Sequence, residues 1–97
     1  MENSISDLAC IRVIASGRVQ GVWYRKFCFD RANKLNLEGW VKNMPDGSVQ
    51  LVAQGSRDKL DILISKLNEG PPFSKVENLD VIWLPADNNL ESFKILY

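Results

Sequence analysis

The pattern of this chain predicts an α+β sandwich: two helices on one face of an antiparallel sheet, with a short extra strand at the C-terminus. Three observations carry that expectation. Period-two apolar alternation and helical apolar stripes follow one another in the order β-α-β-β-α-β. Glycine and proline punctuate the joins between them. The 97 residues, 45% hydrophobic and 25% charged, are enough to bury roughly 65% of the unfolded surface around one core without metal or disulfide staples. A single domain over 1–97 is expected, with residues 1–7 as a flexible N-terminus.

Residues 9–16, Ala-Cys-Ile-Arg-Val-Ile-Ala-Ser, read as a first strand with Ile11, Val13 and Ala15 on one face and Cys10 on the other. A turn bracketed by Gly17 and Gly21 follows. From Trp23 to Asn36 the period becomes helical, with Tyr24, Cys28, Ala32 and Leu35 on one stripe. Phe27 and Phe29 cannot both join that stripe, so one is expected to be partly exposed. Pro45-Asp46-Gly47 is a turn in which Pro sets φ early and Gly supplies φ > 0 late. It predicts a hairpin of Gly39–Met44 and Ser48–Gln54, with Val49, Leu51 and Ala53 inward and Gly55 breaking the second strand. Ser56 is the N-cap candidate of a second helix, Asp58 suits its first turn, and Leu60, Leu63, Ile64 and Leu67 form its apolar stripe. Gly70-Pro71-Pro72 stops it. A strand over Val76–Leu84 alternates Leu79, Val81 and Trp83, and Phe93–Tyr97 makes a short final strand. This order is the split βαβ arrangement of ferredoxin-like folds, an architecture shared by many functions.

Composition removes several classes of chemistry. Twelve basic and twelve acidic residues cancel, which argues against non-specific nucleic-acid binding. The chain has no histidine, so imidazole bases and His metal sites are excluded. Two cysteines are too few for a cysteine zinc site or a disulfide framework, and no disulfide between Cys10 and Cys28 is expected. The first residues lack the apolar segment of a signal peptide, and no apolar run approaches the ~18 residues of a membrane span. The cytosol is the expected compartment.

Chemistry concentrates in two segments. Gly17-Arg18-Val19-Gln20-Gly21-Val22-Trp23-Tyr24-Arg25 joins a strand to a helix N-terminus, where free amides and the helix dipole favour an anion. Its glycines allow consecutive N–H groups to converge as a nest, and Arg25 in the first turn can fork onto two oxygens. No Gly-Lys-Ser/Thr ends the loop, so it is not a Walker A motif. On spacing alone, a plain strand–helix turn with a solvated arginine is the commoner reading. Asn43, before the hairpin turn, is a polar amide whose commoner role there is backbone capping. Tyr24 reads as core, and Arg18, Lys42, Arg57 and Lys59 read as surface charges.

Gly17-Arg18-Val19-Gln20-Gly21-Val22-x-Tyr24-Arg25 resembles the first signature of the acylphosphatase family. Gly39-Trp40-Val41-Lys42-Asn43-x3-Gly47-x-Val49-x5-Gly55 resembles the second at every defined position. Gly70-Pro71-Pro72-Phe73-Ser74-Lys75-Val76 and the closing Phe93–Tyr97 extend the likeness from about Ile11 to Tyr97. The resemblance implies metal-independent hydrolysis of acyl phosphates to carboxylate and inorganic phosphate, with no cofactor. It implies a phosphate cradle of Gly17, Arg18, Val19, Gln20, Gly21 and Val22, a phosphate-binding Arg25, and a water-orienting Asn43. It further implies a small-molecule substrate; the charge balance and the lack of a long apolar run argue for no nucleic-acid or membrane partner, and a small neutral domain with one covered sheet face is expected as a monomer, although the other face could pair. Trp23 departs from the smaller residues or phenylalanine of that family position; it either lines the acyl side of the pocket or packs on the surface. Two other readings compete. One is a phosphate-binding regulatory module like the domain of hydrogenase-maturation carbamoyltransferases. The other is an RNA-binding ferredoxin-like domain, which lacks its RNP1 pattern and basic surface here.

Overall fold

Alternation, turn chemistry and helical stripes resolve into seven elements in a computed structural model that describes residues 7–97. They are β1 (Leu8–Arg18), α1 (Tyr24–Lys34), β2 (Glu38–Asn43), β3 (Val49–Ser56), α2 (Arg57–Glu69), β4 (Lys75–Leu84) and β5 (Lys94–Leu96). The expected flexible terminus falls outside the described residues except for Asp7, whose carbonyl accepts the Arg57 N–H at 3.2 Å.

The sheet order is β4-β1-β3-β2-β5. β1 pairs antiparallel with β3 and β4, and β2 with β3. The short C-terminal strand then adds parallel to β2, with Val41 opposite Ile95, so the complete sheet is mixed. Inserting β3 between β1 and β2 is the split βαβ topology that the element order predicts.

Register places the alternating residues together. Ile11 faces Ala53, Val13 faces Leu51 and Ala15 faces Val49, and all six are buried with Val41. The helices cover this side: Leu60, Leu63 and Leu67 come from α2, and Tyr24, Cys28 and Ala32 from α1. The Tyr24 hydroxyl donates to the Leu67 carbonyl at 2.7 Å, satisfying a buried polar group and tying α1 to α2. Burial pushes the Tyr24 phenol and the Cys28 thiol well above their ordinary pKa values. Both cysteines are free and buried.

Some elements differ from expectation. β1 runs on to Arg18 through a register shift between Ser16 and Gly17. Gly55 does not break its strand, because β3 continues to Ser56 and Gly55 pairs with Ala9. A Cβ at Gly55 would meet the Leu37 side chain, so the glycine admits that buried leucine instead. Ser56 takes the extended N-cap conformation without a side-chain capping bond. Both Phe27 and Phe29 are half-buried, the first under Arg31 and the second against Phe93. Trp83 lies on the edge strand β4 and is 39% exposed, with the Arg57 guanidinium stacked 4.2 Å from its ring centroid.

Gly39 has φ +139°, and a Cβ there would collide with the Val52 carbonyl on the neighbouring strand. Gly39→Ala is therefore expected to cost about 2–4 kcal/mol, read as a lowered urea midpoint with an unchanged slope. A midpoint equal to wild type would contradict this close approach.

Candidate active site

The site begins where β1 ends. Gly17, at φ +117°, packs so closely on β4 that a Cβ would meet the Lys75 carbonyl. The chain then leaves the sheet: Val19 is buried as an anchor, whereas Gly21 and Trp23 adopt positive φ, +73° and +67°. Left-handed backbone of this kind is what anion-binding nests are built from. The helical ladder starts with Phe27 N–H donating to the Trp23 carbonyl at 3.0 Å, so the amides of Tyr24, Arg25 and Lys26 precede it without helical partners. The first turn of α1 contains no acidic residue, which leaves the positive end of the helix uncompensated.

Arg25 projects from this turn and is held by the C-terminal strand. One guanidinium nitrogen, Nη1, donates to the Leu96 carbonyl at 3.1 Å. The guanidinium carbon lies 4.9 Å from the Tyr97 ring centroid. That arrangement fixes the fork while leaving most of its five donors available.

The second half comes from the β2–β3 hairpin. Met44 N–H donates to the Ser48 carbonyl at 2.8 Å, and Asp46 Oδ1 accepts from Ser48 N–H and Oγ–H at 2.9 and 2.6 Å. Those bonds hold the Asp46 carboxyl below its usual pKa. Asn43 ends β2, and its Oδ1 is buried with no hydrogen-bond partner. The halves are joined by Gln20, whose Nε2 donates to both the Met44 and Ser48 carbonyls at 2.8 Å.

One cavity of about 380 Å³ results, lined in part by Val19, Gly21, Trp23, Arg25 and Asn43. The structure thus brings Arg25 and Asn43, 18 positions apart by their numbers, to a shared wall. Of the expected cradle residues, Val19 and Gly21 line the cavity. Gly17 and Arg18 are the last residues of β1, with the Arg18 side chain exposed. The Gln20 side chain turns to the hairpin, and Val22 packs against the core. Lys26, Ile95 and Tyr97 also line the cavity, a role that sequence reasoning missed. The closing Phe93–Tyr97 segment is visible in the sequence, but its parallel pairing beside Asn43's strand is a long-range event without a local signal. Among the described residues, no group of three His, Cys, Asp or Glu side chains is placed to hold a metal, and no helix is long and apolar enough to cross a membrane.

Amides at a helix start and a clamped guanidinium beside one cavity, on an α+β sandwich, are groups whose chemistry suits a tetrahedral oxyanion. The acylphosphatase family model matches residues 11–95, and the chain belongs to that family. It is 42% identical over 86 residues to an acylphosphatase of Methylococcus capsulatus, covering 89% of this chain and 94% of that one. An acylphosphatase of Salinibacter ruber is 46% identical over 80 residues, or 82% and 84% of the two chains. The solved acylphosphatase structure from Coxiella burnetii superposes with a TM-score of 0.90 at 38% identity, covering 99% of this chain and 100% of that one. The family's reaction is the hydrolysis of acyl phosphates, and this chain is a hydrolase acting on acid anhydrides.

Removing the Gln20 amide takes one donor from each of two carbonyls, which keep their backbone donors, Gly47 N–H on Met44 and Met44 N–H on Ser48. Gln20→Ala is expected to lose about 0.5–1.5 kcal/mol of stability, measured by urea unfolding. An unchanged midpoint would show that the bridge between loop and hairpin is dispensable.

Proposed function

We propose that the amides around Gly17–Val22, together with Arg25, hold the phosphate of an acyl phosphate while Asn43 orients the attacking water. The observation that carries this reading is the buried, partnerless Oδ1 of Asn43 in the same cavity wall as Arg25. A buried acceptor without a partner is costly, which singles out the Asn43 amide as a side chain kept for a role other than packing.

The chemistry suits such a site. Water oxygen attacks phosphorus opposite the acyl oxygen, the phosphorus–oxygen bond to the acyl group breaks, and its electron pair leaves on the carboxylate. The carboxylate is a good leaving group, so no strong general acid is required. Loop amides and the guanidinium stabilise the equatorial oxygens of the transition state, each donor being worth about 10²–10³ in rate. The nearby Asp46 carboxylate is already engaged by Ser48, which leaves a phosphate oxygen of the substrate to accept the water's proton. No cofactor or metal enters these steps. The whole chain, 1–97, acts in this reading as one domain and a monomer in the cytoplasm, without nucleic-acid or membrane partners. Sedimentation as a dimer would count against the monomer.

The test is benzoyl phosphate hydrolysis in EDTA. Wild type is expected to turn over, with kcat/KM lowered about 10²–10³-fold in both Arg25→Ala and Asn43→Ala while circular dichroism stays unchanged. A well-folded wild type without turnover would leave the cavity as a binding site only.

Proton transfer to the substrate predicts a pH profile. The rate is expected to fall as pH drops through the substrate's own phosphate pKa, because the monoanion accepts a proton less readily. Asp46 does not produce that fall: its lowered pKa keeps the Ser48 bonds, and their stabilisation, until pH falls below the usual carboxylate range. A midpoint identical for acyl phosphates of different phosphate pKa would contradict substrate assistance.

A further inference from the structure

We propose that Trp23, with Tyr97 lining the same cavity, forms an acyl-group subsite that selects aromatic acyl phosphates. The inference rests on the phosphate being held at Arg25 as described above. It starts from a residue that the fold does not explain. Trp23 has φ +67°, the left-handed region where glycine is at ease and a bulky side chain is strained. Burial does not offset that strain, because the side chain is 76% exposed and lies outside the hydrophobic core. A strained, exposed tryptophan at a site is an outlier from which function is reasonably inferred.

Its surroundings give the function a chemical direction. Trp23 lines the cavity whose other residues include Arg25 and Asn43. Tyr97 lines it too, is 98% exposed, and already offers its ring to the Arg25 guanidinium. Ile95 adds an aliphatic contribution. The cavity, at about 380 Å³, is far larger than a phosphate needs and falls in the range that holds small organic ligands. Its contents are therefore of two kinds: donors that suit the phosphate, and two flat aromatic side chains that suit an apolar acyl group. Planar rings pack on planar rings by offset or edge contacts beyond simple area burial, which favours aromatic over short aliphatic acyl groups.

The experiment compares kcat/KM for benzoyl phosphate and acetyl phosphate in wild type, Trp23→Gly and Trp23→Phe. Glycine accepts the backbone conformation, so Trp23→Gly removes the ring without adding strain. Both substrates present the same phosphate, and the ratio of the two values cancels any common effect on the loop. The benzoyl-to-acetyl ratio is expected to fall about five- to tenfold in Trp23→Gly and to be largely kept in Trp23→Phe. A ratio unchanged in Trp23→Gly, with acetyl phosphate still hydrolysed, overturns the subsite and leaves the hydrolase reading intact. A ratio lost equally in Trp23→Phe also overturns recognition by an aromatic ring. Failure of wild type to hydrolyse either substrate overturns the hydrolase reading, and the subsite with it.

Discussion

Two hydrogen bonds from one side chain hold the halves of this site in register. Gln20 Nε2 donates to the carbonyls of Met44 and Ser48, so the loop that leads to Arg25 is fastened to the hairpin that presents Asn43. These segments belong to separate parts of the topology, because β3 lies between β1 and β2. A helix-entry loop and a hairpin end are the kinds of structure that move independently when nothing joins them. Electrostatic catalysis depends on donors that are already in place when charge develops. The bridge makes that join with a neutral amide, which leaves the charge of the site to Arg25, Lys26 and the helix end.

A second constraint comes from the C-terminal strand. β5 pairs with β2 beside the hairpin, and its Leu96 carbonyl and Tyr97 ring hold the Arg25 guanidinium. The same strand therefore borders Asn43's strand and positions the arginine of α1. Backbone cost is concentrated in this region: Gly17, Gly21 and Trp23 all have positive φ within seven residues by their numbers. The neighbouring core, from Ile11 to Ala15 on β1 and Tyr24 to Ala32 on α1, supplies the burial that tolerates it. With no net charge on the chain, the positive character of the cavity is local, coming from the helix start, Arg25 and Lys26.

Much of this is legible in the residues themselves. Ile11, Val13 and Ala15 announce a half-buried strand, and Leu60, Leu63 and Leu67 a helix, because each period matches one geometry. The Pro45–Gly47 turn fixes the hairpin register that ends β2 at Asn43. The anion loop is visible in its two glycines and in Arg25 at a helix start, although spacing alone favours a plain turn. What local pattern does not reveal is tertiary. Gly55 reads as a strand breaker, yet its missing Cβ makes room for Leu37, a contact across the fold. Gln20 reads as one more cradle residue, yet its side chain is committed to the hairpin. Tyr97 carries no local sign of a site, since its place beside Arg25 follows from the parallel addition of β5.

The central claim is that this cavity directs water at phosphorus, with the phosphate at Arg25 and the water at Asn43. Hydrolysis of benzoyl phosphate in water enriched in oxygen-18, followed by mass spectrometry of both products, tests it most directly. The account predicts label in inorganic phosphate and none in benzoate beyond the uncatalysed background. Label appearing in benzoate would mean attack at the acyl carbon, and would contradict the roles assigned to both residues.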